Sequence, residues 1–466
     1  MHRRGAEGIC QLCGGLTSLH ASRTAGVQRA PNYGIDISAA AADGWPQRNM
    51  AGNERVVIVG GGVVGLSAAY HCLLAGRPVR VIERGGEHST NCSTGNAGMV
   101  VPSHFVPLAA PGMIAKGLRW MFNPESPFYI RPRPNAELIR WAWLFWRHAN
   151  ASHVARSREL LRDLNLESRR LFAELAGEEN FGLQQRGLLM LCKTSEGLDE
   201  EAGLAAAAAE IGIEARVLGP RETSRLDPGI AMDVAGAVHF PQDCHLDPGR
   251  FLDTLRRRVV AMGGEVIGSA VADGFEISGG RVSALRAGGE RHVGSHFVVA
   301  GGVWSPALLR KPGLRLPMQA GKGYSLTLPA PRELPELCSI LVEAKVAVTP
   351  MGGKLRFAGT MEIGGNDQRV NRRRVRGIVR SVSSYFPEFR EEDFEGIAPW
   401  VGLRPVSPDG LPYLGKIPAI DNLIVATGHA MMGLSLGPVS GRLVAEMVAG
   451  VKTHIDIAKL APARFG

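Results

Sequence analysis

The 466-residue chain is short of aromatic residues (6%), and its seven cysteines are scattered and odd in number. Cys10, Cys13, Cys72, Cys92, Cys192, Cys244 and Cys338 form no pairing framework, which points to a reducing compartment such as the cytoplasm. Cys10-x-x-Cys13 lacks the second Cys/His pair a zinc site needs, so it is read as coincidence and no metal is expected. The net charge of +9 is too dispersed for a nucleic-acid footprint, and no zinc-finger or aromatic RNA-binding signature accompanies it. It suits an anionic ligand or an anionic membrane surface. The first 49 residues show no helical or strand period and no apolar core of a secretory signal. Residues 1–52 are therefore expected to be a disordered extension, with Met50 as the natural start. The arginines and serines of that segment leave a transit-peptide reading open. No sequence repeat is visible.

One uncharged run, Val56 to Gly76 in "VVIVGGGVVGLSAAYHCLLAGRPVRVIER", is long enough to cross a bilayer. Gly60, Gly61 and Gly62 argue against that, because three consecutive glycines mark a turn. "VVIV" reads as a buried parallel strand, "VVGLSAAYHCLLAG" as a helix ending at Gly76, and "VRVIE" as a second strand ending on Glu83. This is a dinucleotide cradle. Gly60 permits the tight turn, Gly62 lets the backbone approach a pyrophosphate, and Gly65 lets the helix sit close to the sheet. Helix N–H groups hold the anion, and Glu83 accepts from ribose hydroxyls.

Further on, "STNCSTGNAGMVVPSHFVPLAAPG" is a long, functional-looking loop. A Trp-rich helix, Ala136 to about His148, spreads Trp141, Trp143, Phe145 and Trp146 around its circumference. It is read first as a packing helix, with docking to a membrane surface or partner as the alternative. A charged amphipathic helix follows from about Ser152 to Glu179, then strands at 187–192 and 236–240. "FVVAGGVWSP" (297–306) is strand, double glycine and helix start, returning to the first sheet. From Leu316 to Ala398, strand-rich segments suggest an antiparallel sheet in a separate domain. Near its end Arg369, Arg372, Arg373, Arg376 and Arg380 make a basic helix face, read as solvated, with anionic lipid as the alternative. The chain closes with a strand, Leu423 to Ala426, a glycine turn and a helix from about Gly433.

Taken together, the cradle, "STGNAGMVVPSHFVPLAAPG", "GKGYSLTL" at 321–328, "VVAGGVWSP" and "GLRPVSPDGLPYLG" with "GHAMMGLSLGPVSGRLVAEM" resemble the FAD-dependent D-amino acid oxidase and dehydrogenase family. The likeness covers nearly all of 54–450 and is greatest to the bacterial D-amino acid dehydrogenases. It implies an α/β fold: a Rossmann-like FAD-binding domain (54–130, 231–312, 399–455) with a second, antiparallel-sheet (α+β) substrate domain (131–230, 313–398). It implies noncovalent FAD held by Gly60, Gly61, Gly62, Val63, Val64, Gly65 and Glu83. Asn96, Ala97 and Gly98 would lie beside the isoalloxazine, Gly301 would border the cofactor, and Gly433 and Leu434 would meet the pyrimidine end. Arg404 is the candidate for pairing with a substrate carboxylate and Tyr324 for a second contact. Relatives commonly carry Gly-His-Gly where this chain reads Gly428-His429-Ala430, which puts contacts of the intervening residues in question.

The implied reaction is oxidative deamination of a D-amino acid to a 2-oxo acid and ammonia through the imino acid. Hydride passes to FAD N5 and electrons go on to a quinone-linked acceptor. His104, His239 and His429 are given only local hydrogen-bonding roles. Within the same fold the alternatives are D-proline or cis-4-hydroxy-D-proline dehydrogenase and a glycine/sarcosine-type oxidase. Outside it stand an NAD-dependent dehydrogenase and a non-catalytic FAD electron-transfer subunit. The expected location is cytoplasmic, with contact at the inner face of a membrane left open and no transmembrane segment.

Overall fold

The computed structural model describes residues 55–86, 91–121, 123–310 and 312–466. The N-terminal extension and the Cys10/Cys13 pair lie outside these residues. The β-branched run Val56–Val59 is a strand buried along its whole length at the centre of a six-stranded sheet. Its neighbours are Val79–Ile82 and His296–Val299, both parallel to it. Glu265–Ile267 extends one side in parallel, and Ile420–Thr427 with antiparallel Tyr413–Ile417 extends the other. Strands covered on both faces must be apolar throughout, which is why "VVIV" carries no alternation.

The helix Val63–Leu74 follows the glycine turn and packs on the last helix, Gly437–Ala449. A Cβ on Gly441 would stand 2.4 Å from the Ser67 backbone carbon, so the close crossing depends on a missing side chain. The last helix starts at Gly437 rather than the expected Gly433, and residues 431–436 wind as turns. Pro438 in the first helical turn accounts for the start, since its absent N–H is unpaired there in any case.

The second layer is a nine-stranded sheet. Its order is Trp400–Val406, Gln319–Leu328, Lys354–Ile363, Val346–Met351, Cys338–Leu341, Leu188–Cys192, Gly236–Phe240 and Arg216–Leu218, with Phe128–Ile130 pairing beside Lys354–Ile363. Most pairs are antiparallel, but Cys338–Leu341 runs parallel to Leu188–Cys192, and Phe128–Ile130 parallel to its partner. Three strands that the segment edges at 130, 231 and 399 would allot to the nucleotide domain, Phe128–Ile130, Gly236–Phe240 and Trp400–Val406, are hydrogen-bonded into this sheet. A small antiparallel sheet, Ala272–Ser278, Arg281–Ala287 and Glu290–Val293, stands apart.

The Trp-rich helix runs Ala136–His148, started by Asn135, whose Oδ1 accepts the Leu138 N–H at 2.9 Å. Trp141 is buried and donates to the Val406 carbonyl at 2.9 Å. Ile139, Trp143 and Trp146, at i, i+4 and i+7, are 65%, 51% and 64% exposed. The helix is thus apolar on two opposite faces. The basic helix runs Arg372–Tyr385, and Arg374 turns inward, 3.5 Å from Glu362, which also pairs with Lys322 at 2.9 Å. No helix among the described residues is long and apolar enough to cross a membrane.

Candidate active site

Between the six-stranded and nine-stranded sheets lies a cavity of about 880 Å³. At one end it is walled by the glycine turn. Gly60 adopts φ +108°, and a Cβ there would stand 2.5 Å from the Ala300 carbonyl oxygen, so only glycine fits. A Cβ on Gly65 would fall 1.9 Å from the Gly60 oxygen, which keeps the helix tight against the turn. Glu83, at the end of the second strand, accepts from Gly61 N–H at 2.5 Å and Gly85 N–H at 2.8 Å. The Val63 N–H at the helix start meets Ser93 Oγ at 3.1 Å. Backbone donors at a helix N-terminus, an acid on the adjacent strand and open space above the glycines suit a dinucleotide. Arg84 lies over the Trp304 ring, 4.1 Å from its centroid, and both border the cavity.

Of the residues singled out in the sequence, Gly60, Gly62, Val63, Val64, Glu83, Asn96, Ala97, Gly301, Gly433, Leu434 and Arg404 line this space. Gly61, Gly65 and Gly98 stand behind the wall and shape it. Gly98 sits at φ +82°, and its N–H is held by Asn96 Oδ1 at 2.8 Å. Gly433 and Leu434 belong to the turns before the last helix, where Ser435 Oγ accepts the Val101 N–H at 3.0 Å and joins the two cavity loops.

Tyr324 is placed elsewhere. Its ring belongs to the buried core beneath the large sheet, and its hydroxyl accepts the Asn371 N–H at 3.1 Å. The register shifts between Lys322 and Tyr324, and nearly every residue of that strand is buried, so no alternation reveals which face the tyrosine takes. The expected substrate contact at Tyr324 is corrected on that ground.

Arg404 is on the cavity side. Its guanidinium crosses Gly323, where a Cβ would fall 2.2 Å from Nη1, and donates to the Thr360 carbonyl at 2.5 Å. Thr360 holds φ +70°, a strained conformation at a buried position. Among the described residues no carboxylate pairs with Arg404. Burial pulls its pKa down, against the nearby Cys92. A half-buried guanidinium with a single carbonyl acceptor keeps most of its N–H donors free for an anion. Burial pushes the Cys92 thiol up, so it stays protonated and unreactive.

Three contributors went unassigned in the sequence, where only His104 among them was given a local hydrogen-bonding role. Arg356 reaches from the large sheet to the carbonyls of Thr94 (3.1 Å) and Asn96 (2.7 Å) and pins the loop beside the cavity. The Trp400 ring covers Gly95 and Gly402, each of which would collide with it if it bore a Cβ. Ser103, His104 and Asp243 form a hydrogen-bonded chain. Of the other histidines, His429 borders the cavity with Nε2 2.9 Å from Ser440 Oγ, whereas His239 lies off it, Nε2 3.5 Å from the Arg186 carbonyl.

Comparison with known proteins agrees with this geometry. Residues 55–447 match the family model described as FAD dependent oxidoreductase. Among curated proteins, the chain is 32% identical over 418 residues to the D-amino acid dehydrogenase of Granulibacter bethesdensis, covering 88% of this chain and 99% of that protein. It is 33% identical over 420 residues to that of Allorhizobium ampelinum, covering 88% and 98%. Among solved structures, glycine oxidase from Geobacillus kaustophilus superposes with a TM-score of 0.71 at 25% identity, covering 89% of this chain and all of that one. The chain belongs to the family of FAD-dependent oxidoreductases. It is an enzyme of that class, and its cofactor is FAD.

Proposed function

We propose that the protein oxidises a D-amino acid to the imino acid, which hydrolyses to a 2-oxo acid and ammonia. The observation that carries this reading is the half-buried guanidinium of Arg404, which pairs with no carboxylate among the described residues and opens onto the cofactor cavity. An α-carboxylate is the planar anion its fork matches. Thr360 keeps the fork oriented, and Trp400 narrows the cavity beside it. Bound FAD supplies the acceptor for the hydride that leaves Cα. The preference for the D-series rests on the names of the curated relatives. FAD is held without a covalent link, in keeping with a protonated Cys92 thiol. Electrons pass on to a quinone-linked acceptor, with the exposed Ile139, Trp143 and Trp146 stripe touching the membrane in which such acceptors lie.

The test is an anaerobic absorbance scan of the purified yellow protein with D-alanine, D-proline, cis-4-hydroxy-D-proline, glycine and sarcosine in turn. Loss of the band at about 450 nm with a D-amino acid, and not with its L-enantiomer, is the expected result. Bleaching by glycine or sarcosine alone would move the assignment to the oxidase type. A flavin that none of them bleaches would sink the reading.

A further inference from the structure

The cavity wall carries an imidazole tied back into the core. Ser103 donates its N–H to Asp243 Oδ1 at 3.0 Å and its hydroxyl to Oδ2 at 2.5 Å, and the same hydroxyl oxygen lies 3.0 Å from His104 Nδ1. Ser103 has a single hydroxyl proton. With that proton given to Asp243, the oxygen can only accept from His104. Nδ1 must therefore carry the ring hydrogen, and Nε2 is left as a bare acceptor on a residue that borders the same cavity as Arg404.

Asp243 is fully buried just beyond the strand Gly236–Phe240. The groups that face it are Ser103, Arg169, Cys244 and Cys338, and the charge that faces His104 is Lys345. Burial pushes the Asp243 carboxyl up to about 7 and the His104 imidazole down to about 4. The ring is therefore neutral near pH 7, and the carboxyl is the member of the chain that gains or loses a proton there. An acid that merely anchored a loop would account for its two bonds to Ser103. It would not account for the spent hydroxyl facing an imidazole on the cavity wall.

We propose that His104, Ser103 and Asp243 form a relay that takes the proton a substrate ammonium must lose before its Cα–H can leave as hydride. This rests on the reading that the substrate is an amino acid bound through Arg404. In the step, an ammonium N–H bond breaks and a new N–H bond forms at His104 Nε2. The Nδ1 hydrogen moves to Ser103 Oγ as the Ser103 hydroxyl hydrogen moves to Asp243 Oδ2. The ring ends neutral in its other tautomer, and the substrate's positive charge is cancelled against the carboxylate. No oxidant enters this step. The freed lone pair then assists hydride departure, and the same three hydrogens moving back release the proton to water or to the departing product nitrogen.

The test uses Ser103→Ala, which cuts the relay between two intact ends, and His104→Gln, which removes its cavity terminus. Stopped-flow flavin reduction by whichever amine reduces the wild type is followed from pH 6 to about pH 10. The wild-type rate should rise through a single step near pH 7. Both variants should be slower by about 100-fold at neutral pH. They should regain most of the wild-type rate near pH 10, where the amine is neutral without help. Flavin absorbance and the affinity for a simple carboxylate lacking an amine should not change. A purely structural role would depress the rate by the same factor at every pH, and that result, or a wild-type pH profile in Ser103→Ala, would overturn the relay while leaving the amino acid reading intact. A wild-type flavin that no amine reduces would overturn both.

Discussion

At the scale of single residues, the site is defined by side chains that others make room for. Arg404 reaches the cavity only because Gly323 has no Cβ beneath it, and its direction is set by one carbonyl on strained Thr360. A lysine at this position would keep the charge and lose the fork. Arg404→Lys is therefore expected to lower kcat/KM for the amino acid by about 100-fold, mostly through KM, a loss of about 3 kcal/mol. Steady-state kinetics with the best substrate checks this. An unchanged KM would mean that the carboxylate binds elsewhere. Tyr324, expected at the substrate but turned into the core, shows how little a residue's type says without its facing direction.

At the scale of elements, the Ala136–His148 helix is the informative one. Its inner face, Leu138, Trp141 and Phe145, packs against Leu108, Phe128 and Ala430, and all three of those residues line the cavity. Its outer face presents Ile139, Trp143 and Trp146, with Arg147 set over the Trp143 ring at 5.5 Å. Tryptophans beside cations on an exposed helix face suit the headgroup region of a bilayer. Replacing Trp143 and Trp146 by serine should weaken binding to vesicles containing anionic lipid by roughly tenfold or more and leave flavin reduction by substrate unchanged. Cosedimentation would read this directly. Wild-type protein that stays in the supernatant would remove the membrane contact from the proposal.

At the scale of the whole molecule, buried neutral histidines set the acid limit of stability. Burial lowers His71 to about 3 and His104, His245 and His429 to about 4. In the unfolded chain these groups titrate near 6.5. Below that pH the unfolded state binds protons that the folded state refuses, so stability falls as pH drops toward 4, by at most about 1.4 kcal/mol per histidine per pH unit. Asp243, raised to about 7, acts in the opposite direction over the window above its unfolded value of 3.8. Asp227 and Glu201, also raised by burial, act with Asp243, while His153 and His239, also lowered by burial, act with the other histidines, so six histidines against three carboxyls decide the sign. The thermal midpoint of the holoenzyme should drop between pH 6.5 and 4.5, less steeply in His71→Gln. A flat profile in the wild type would show that these rings are protonated in the folded protein.

Features that lie close together along the chain are the ones its residues specify locally. The strand, glycine turn, helix and acid of Val56–Glu83 sit within 28 residues, and each piece follows from backbone sterics or local burial, so the cofactor end could be read before any fold was known. The Trp-rich helix covers its expected span, Ala136 to about His148, and the structure adds the Asn135 cap at its start. Tertiary structure decided the substrate end. Ser103 meets Asp243 across 140 residues, and Arg356 meets Asn96 across 260. Pairings at such separations leave no periodicity in the sequence. In the strand Gln319–Leu328 nearly every position is buried and a bulge shifts the register, so alternation could not say that Tyr324 faces the core. Which side chains share a cavity is a property of sheet register and loop crossing, and those exist only in the folded chain.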